Sequence, residues 1–364
     1  MFKIKEQLSK LYCSSILGNL SLTGAWVAIL AARGYNLVEI GIVETVFHIT
    51  SLIFEIPSGV LADVFGRKKM LIVSSMMQMI GNIVMIFSNN LFMVCLSIAF
   101  FALSYNFSSG TGDALAYDSL KLAKMEEQFE RYEANQLIIY RLCSGISTLC
   151  AGFALFIGYK IAYGTGLITG IIQIVILSSL HEMYAANSQH DKESHTIRKL
   201  IVCFKESIIF LKGVKKIIGL MMCNSLVGAL DILLLFFLQA KLLEKEIPEW
   251  GLGLALLFME MGGVVGSKLI LKFPKLSYKW VFAITISFVL AGVLAEHSSW
   301  YSIVAVGGFL SAIGDDALQV RTNAILQNMF PSEQRATLTS VESFTFSIIM
   351  IVLSPLAGFV FMYW

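Results

Sequence analysis

Charge is what this chain is short of. Asp, Glu, Lys and Arg make up 14% of its 364 residues, while 57% are hydrophobic; an ordinary soluble domain carries roughly a quarter charged. Most of a surface built from that mixture cannot be turned to water, which argues against a soluble globular fold. Other absences narrow the field. There is no nucleophile elbow, zinc-protease motif or phosphate loop, which sets aside a polytopic membrane enzyme. The six cysteines, Cys13, Cys95, Cys143, Cys150, Cys203 and Cys223, lack metal-type spacing and read as small buried apolar side chains. Short segments of alternating apolar and polar residues are missing too, which argues against an outer-membrane barrel.

What the chain has instead is long uncharged runs. Residues 11–32, 161–181 and 343–364 contain no Asp, Glu, Lys or Arg, and 70–112 extends the same pattern over 43 residues. A helix needs roughly 20 apolar residues to cross the hydrocarbon core, so the last run predicts two helices, divided by Ser88, Asn89 and Asn90. The first run is too long for a signal-peptide core and many others follow it, so it reads as an uncleaved span. Apolar runs and breakers together predict helices near 11–32, 38–62, 70–88, 91–120, 133–158, 161–181, 217–240, 250–271, 280–295, 300–328 and 336–362.

Basic residues orient these spans. Only Arg33, Lys160, Lys241 and Lys245 fall on one set of turns, and Arg141 and Arg321 lie within helices. The rest of the 27 basic residues sit at the other set of turns and helix ends, which predicts a cytoplasmic amino terminus in a cell (inner) membrane. The mixed-charge stretch 182–216 reads as a cytoplasmic linker between an amino-terminal bundle, 1–181, and a carboxyl-terminal bundle, 217–364. His181, His190 and His195 lie there or at its edge beside Glu182, Asp191 and Glu193; a solvated loop explains them, and no metal is assigned.

The two bundles echo one another at an offset of about 204 residues. Asn19 to Ala25 resembles Asn224 to Ala229 with one residue deleted, Gly59-Val60 falls on Gly263-Val264, and Asp113-Ala-Leu matches Asp316-Ala-Leu. The last match ends in Asp118 in one copy and Arg321 in the other, opposite charges. Two copies in the same orientation are the parallel-repeat plan of some secondary transporters. The turn near Lys160 maps onto Trp364, so the second bundle is read as lacking its twelfth helix.

The turn after the second helix reads Gly59-Val-Leu-Ala-Asp63-Val-Phe-Gly66-Arg67-Lys68-Lys69-Met-Leu71. It resembles the signature loop of the major facilitator superfamily, G-x-L-A-D-R-x-G-R-K-x-x-L, at every fixed position except Val64. Gly59 and Gly66 suit close approach and a tight turn, and Asp63 suits a neighbouring helix N-terminus, for which the eleventh helix near Ser332 is one candidate. The resemblance implies an all-α membrane protein with two six-helix bundles. It also implies that Asp63, Arg67 and Asp118 form a charge network latching one conformational state. Phe54 to Gly59 and Ser109 to Asp118 resemble phrases of bacterial drug-efflux members. An arginine in the fourth helix and a Gly-Pro pair in the fifth are absent, which weakens proton-coupled export.

Ionisable groups at membrane depth are candidates in their own right, because each costs about 2.5–3.5 kcal/mol on insertion scales. Glu44, His48 and Glu55 share one face of the second helix over about 16 Å; the first two could relay a proton or stabilise a gate. Asp113 and Arg141 are expected to form a buried ion pair. Asp231, Glu260, Asp315, Asp316, Arg321 and Glu342 give the second half an acidic excess suited to a cationic or zwitterionic substrate. Asn19, Thr23 and Trp26 share a face of the first helix and Asn224 and Asp231 a face of the seventh, the helices that the resemblance implies line a central cavity; Trp26 equally suits an interface anchor.

These features predict an alternating-access transporter exporting small amphipathic compounds with proton coupling. Proton-coupled uptake of a nutrient such as a sugar stays open, as does a truncated, non-transporting membrane protein. The expected partners are a small-molecule substrate, the lipid bilayer and protons or another coupling ion. Neither nucleic acid nor a cofactor is expected, and the chain is expected to be a monomer.

Overall fold

Backbone N–H and C=O groups in hydrocarbon have to bond within their own segment, so apolar runs of this length become helices. The structure, a computed structural model, describes residues 3–182, 215–245, 247–329 and 335–363. Its helices are α1 (Ile4–Asn19), α2 (Trp26–Ala32), α3 (Leu37–Phe65), α4 (Arg67–Phe87), α5 (Leu91–Ser108), α6 (Thr111–Leu122), α7 (Phe129–Leu149), α8 (Ala151–Ile157) and α9 (Tyr159–Ser178). After the segment that is not described come α10 (Lys215–Glu244), α11 (Glu249–Leu271), α12 (Tyr278–Ala295), α13 (Tyr301–Met329) and α14 (Arg335–Tyr363). Among the described residues nine helices are long and apolar enough to span a bilayer, or ten with α7 and α8 taken as one bent span. Large apolar side chains point outward along them: Phe92, Phe156 and Trp250 are each more than 70% exposed, as lipid-facing positions should be.

Each expected span has a helical counterpart, but the first, fourth and fifth are broken. The first run stops at Asn19 and resumes at Trp26. Between them the Ser21 hydroxyl accepts the Thr23 N–H at 3.0 Å, a local bond that competes with helix continuation. Ser147 on α7 then serves the freed backbone, accepting the Ser21 N–H at 2.9 Å and donating to the Asn19 carbonyl at 3.4 Å. The fourth run breaks at Ser109 and Gly110, where Gly110 adopts φ +68°, the left-handed region that glycine enters at least cost. The turn at residues 88–90 forms where the sequence places it: the Asn90 side chain caps α5 by accepting the Met93 N–H at 2.9 Å, a standard N-cap bond.

The chain divides into two compact units. The first comprises Met1–Ile29 and Val46–Lys192, the second Leu30–Thr45 and Glu193–Trp364. Within the first, α4 packs on α5 through hydroxyl-to-carbonyl bonds, Ser74 to Ser104 at 2.7 Å and Ser97 to Gly81 at 2.8 Å. Within the second, α13 is the central helix. The Cα atoms of Gly262 and Gly266 on α11 face the Phe309 and Ile313 carbonyls of α13 so closely that an added Cβ would strike them. Small residues that let backbones meet are a usual means of joining helices in lipid. On the other flank of α13, Thr285 of α12 donates to the Gly314 carbonyl at 2.8 Å. Of the expected linker 182–216, only Glu182, Lys215 and Lys216 fall among the described residues.

Candidate functional site

Three arrangements bring the candidate side chains together: a charged turn, a polar cavity in the first unit and a group of buried acids in the second.

The turn follows from one glycine. Gly66 separates α3 from α4 with φ +98°, and an added Cβ would lie 2.6 Å from the Glu182 carboxylate. That carboxylate sits over the first turn of α4 and accepts the Lys68 N–H at 3.1 and 3.3 Å, so a negative charge meets the positive end of the helix. The chain just before it is held as well. Gln7 exchanges two hydrogen bonds with the His181 backbone, at 2.9 and 3.0 Å, and Lys10 donates to the Ser179 carbonyl at 3.1 Å. Arg67 forms a half-buried ion pair with Asp118 of α6 and donates to the Ala114 carbonyl at 2.7 Å, which brings the motif's arginine to the acid five residues beyond Asp113. Gly59 stands on α3 with open space where a Cβ would be. The Asp63 side chain and residues 330–334, around Ser332, are outside the described residues.

Asp113 lies in the first turn of α6, just past the Ser109–Gly110 break. Its expected partner Arg141 is exposed on α7, and no ion pair between the two is found among the described residues. Matching depth along the helix did not give Arg141 matching direction around it. Asp113 opens on a cavity of about 460 Å³ within the first unit. Asn19, Gln78, Gln136 and Gln173 contribute amides to its wall, and Phe101, Tyr105, Tyr132 and Tyr140 contribute rings. Thr23 lies outside the lining, its hydroxyl 2.6 Å from that of Ser21, and Trp26 begins α2 past the break. The expected common face of Asn19, Thr23 and Trp26 is therefore lost where the helix stops.

On α3, Glu44 belongs to the part assigned to the second unit, whereas His48 and Glu55 belong to the first. His48 is buried, its ring edge-on to Phe47 at 5.5 Å. Ser51, between the two, donates to Asn106 of α5 at 2.9 Å and receives the Asn106 amide on its carbonyl at 2.9 Å. Sequence reasoning missed Asn106; an amide inside an otherwise apolar run was the available signal.

In the second unit Asp231 of α10 is 4% exposed and Asp315 of α13 is 8% exposed. Asp231 accepts the Ser311 hydroxyl, and the Asp315 carboxylate faces Gly228, one turn before Asp231. Asp316 stands against Gly263, where a Cβ would meet its carboxylate. Asn224 donates to Glu342 of α14 at 3.1 Å, joining the seventh and eleventh spans. Glu260 is exposed on α11. Arg321 turns away from these acids and donates to the carbonyls of Phe273 and Pro274, at 2.8 and 3.0 Å, in the turn after α11. Asp118 and Arg321, opposite in sign at matching positions of the repeat, each tie their helix to the turn that ends the second span of their copy.

Comparisons with known proteins agree with this architecture. One solved structure, the nucleoside transporter NupG, superposes with a TM-score of 0.72 at 16% identity, covering all of this chain and 92% of that one. A D-xylose-proton symporter gives 0.68 at 10% identity, with 97% and 88% covered. A peptide transporter, POT, crystallised with sulfate, gives 0.70 at 13% identity, with 98% and 90% covered. At such identities these likenesses speak to the fold. An uncharacterized MFS-type transporter of Bacillus subtilis (strain 168), YxaM, is 44% identical over 43 residues, a match spanning 12% of this chain and 11% of that protein. The profile of the Major Facilitator Superfamily matches residues 11–295; with that match extending over most of the chain, the protein belongs to this superfamily of multi-pass membrane transporters.

Proposed function

We propose that the chain is a secondary active transporter that works by alternating access and couples proton movement to the export of small amphipathic compounds. The observation that carries the proton coupling is the burial of two acids, Asp231, which accepts the Ser311 hydroxyl, and Asp315, about one helical turn beyond Ser311 on α13. Two carboxylates in hydrocarbon surroundings cannot both keep a negative charge without a large desolvation cost. A proton held there leaves for water, as carboxylic acid becomes carboxylate, when the helices open the group to solvent. The Arg67–Asp118 and Arg321 ties then act on the conformational equilibrium, leaving substrate to other groups. On this reading the amino terminus is cytoplasmic and the protein works as a monomer in the cell membrane.

Proton-coupled uptake is the second reading, favoured by the amides of the first-unit cavity, which suit a polar nutrient. Proteoliposomes with a pH gradient and a fluorescent cationic dye separate the two. Dye movement against the direction of proton flow, abolished by an uncoupler and by Asp231→Asn, supports export. Movement in the same direction as the protons supports uptake. No gradient-driven movement of the dye or of a sugar panel by folded protein removes both readings.

A further inference from the structure

The polar cavity of the first unit is walled by α1, α4, α5, α7, α9 and the start of α6, all within that unit, and the hydrogen bonds around it leave a definite remainder. The Asn19 amide nitrogen donates to the Ser15 carbonyl at 2.8 Å, and that of Gln173 to the Ser14 carbonyl at 3.0 Å. A backbone carbonyl only accepts, so these contacts fix which way each amide is turned. Asn19 Oδ1 and Gln173 Oε1 are left as acceptors without a donor among the described residues. Tyr132 is 1% exposed and stacked on both Tyr12 and Phe129, so its ring is taken up in packing and its hydroxyl is what it brings to the cavity. That hydroxyl is bonded to Gln136 at 2.5 Å; whichever of the two donates, one N–H or O–H stays unmatched among the described residues. Gln78 of α4 reaches the same space with neither end of its amide bonded among the described residues. Among those residues the lining holds no Lys, Arg or His and one charged side chain, Asp113.

We propose that this cavity binds a neutral polyhydroxylated ring of monosaccharide size. An anion finds no cation in the wall. An ammonium group suits the acceptors and strands the donors. A planar amide edge, as on a nucleobase or a peptide, asks for a donor beside an acceptor, and Asn19 and Gln173 have spent their nitrogens on the backbone, so each offers an acceptor alone. A hydroxyl both donates and accepts. The hydroxyls around one ring therefore donate to Asn19 Oδ1, Gln173 Oε1 and the Asp113 carboxylate, the last a charge-assisted bond, and accept from Gln78 and from the unmatched donor of the Tyr132–Gln136 pair. Tyr105 and Tyr140 also line the cavity and are 57% and 51% exposed, which leaves aromatic surface for the C–H faces of the ring. The volume of about 460 Å³ lies within the usual range of small-molecule sites, roughly 300–1,000 Å³. This inference deepens the uptake reading, on which it rests for the fate of the ligand, by naming a substrate class; binding itself is read without transport.

The test uses the purified full chain in nanodiscs, free of glycoside detergent, and equilibrium dialysis against tritiated D-glucose, D-galactose and D-mannose, with empty discs as the blank. Saturable binding of at least one of the three, near one sugar per chain, is expected, with no displacement by an excess of glucose 6-phosphate, choline or uracil. Gln78→Leu removes an amide that has no partner in the fold to lose, and should weaken binding by about fivefold, the scale of one neutral hydrogen bond. Gly112 lines the cavity and has nothing within 4 Å of an added Cβ, so Gly112→Phe should fill the space and abolish binding. Thermal melting confirms that each variant is folded. No saturable binding of any of the three sugars to the folded chain, unchanged affinity in either folded variant, or displacement by any of the three competitors overturns the proposal. Sugar binding without gradient-driven movement of the sugar would remove the uptake reading and leave this site standing. Gradient-driven sugar movement with binding unaffected in Gly112→Phe would remove this site and leave the uptake reading.

Discussion

The two halves of the chain descend from one pattern, yet they handle it differently. In the second unit, α10 and α13 run unbroken for 30 and 29 residues, and glycines press α11 against α13 backbone to backbone. In the first, the corresponding spans are interrupted, α1 from α2 and α5 from α6. Aligning Asp113-Ala-Leu with Asp316-Ala-Leu places Ser109-Gly110 over Ala312-Ile313, so the residues that break one copy are replaced by ordinary helix formers in the other. The extra residue in the first helix's copy of the motif likewise falls where α1 gives way to α2. The consequence is functional. Asp316 is packed against Gly263, whereas Asp113 opens on a cavity. One copy is close-packed at this position and the other borders a cavity.

The largest expected effect attacks the close-packed copy. Gly266→Leu places side-chain atoms in the position of the Ile313 carbonyl. Neither backbone can yield locally, so a loss at or above the usual overpacking range of about 1–3 kcal/mol is expected, seen as disappearance of the monodisperse peak in detergent chromatography. A normal peak would show that the α11–α13 contact is looser than described. Next comes the open copy. Ser109→Ala with Gly110→Ile gives the fourth span the residues of its partner, and labelling of a cysteine placed at the cavity position Gly112 by a water-soluble maleimide is expected to slow by about tenfold as the cavity closes. Labelling as fast as without the two substitutions would show that the break does not maintain the cavity. Smallest is Ser147→Ala, which leaves the Ser21 N–H and the Asn19 carbonyl without their side-chain partner. About 1 kcal/mol is expected, read as a melting temperature lower by a few degrees; no shift would mean that water serves those groups equally well.

The spans were legible because absence of charge over a bilayer's length leaves the backbone little alternative to helix. The breaks were not, since Ser109, Gly110 and Gly24 are small residues that also occur where helices pack, and hydropathy cannot tell a packing glycine from a left-handed one. Arg67 and Asp118 could be anticipated, because the motif fixes one partner and the repeat draws attention to the other. Arg141 misled because sequence distance measures depth along a helix and not direction around it. Glu182 looked like one more charge in a polar linker, and only folding brings it to the start of α4, more than a hundred positions from its partner in sequence.

That contact between Glu182 and the turn at residue 66 also bears on how the chain can change over generations. The carboxylate fits because position 66 has no side chain, so the two positions are inherited as a lock and its clearance. A lineage that acquires any larger residue at 66 first has to shorten or lose the acid at 182, and one that has lost the acid still meets the φ of +98° that favours glycine. Substitutions at these sites are therefore passable in one order and closed in the other, and the glycine should outlast its carboxylate partner in descendants of this sequence.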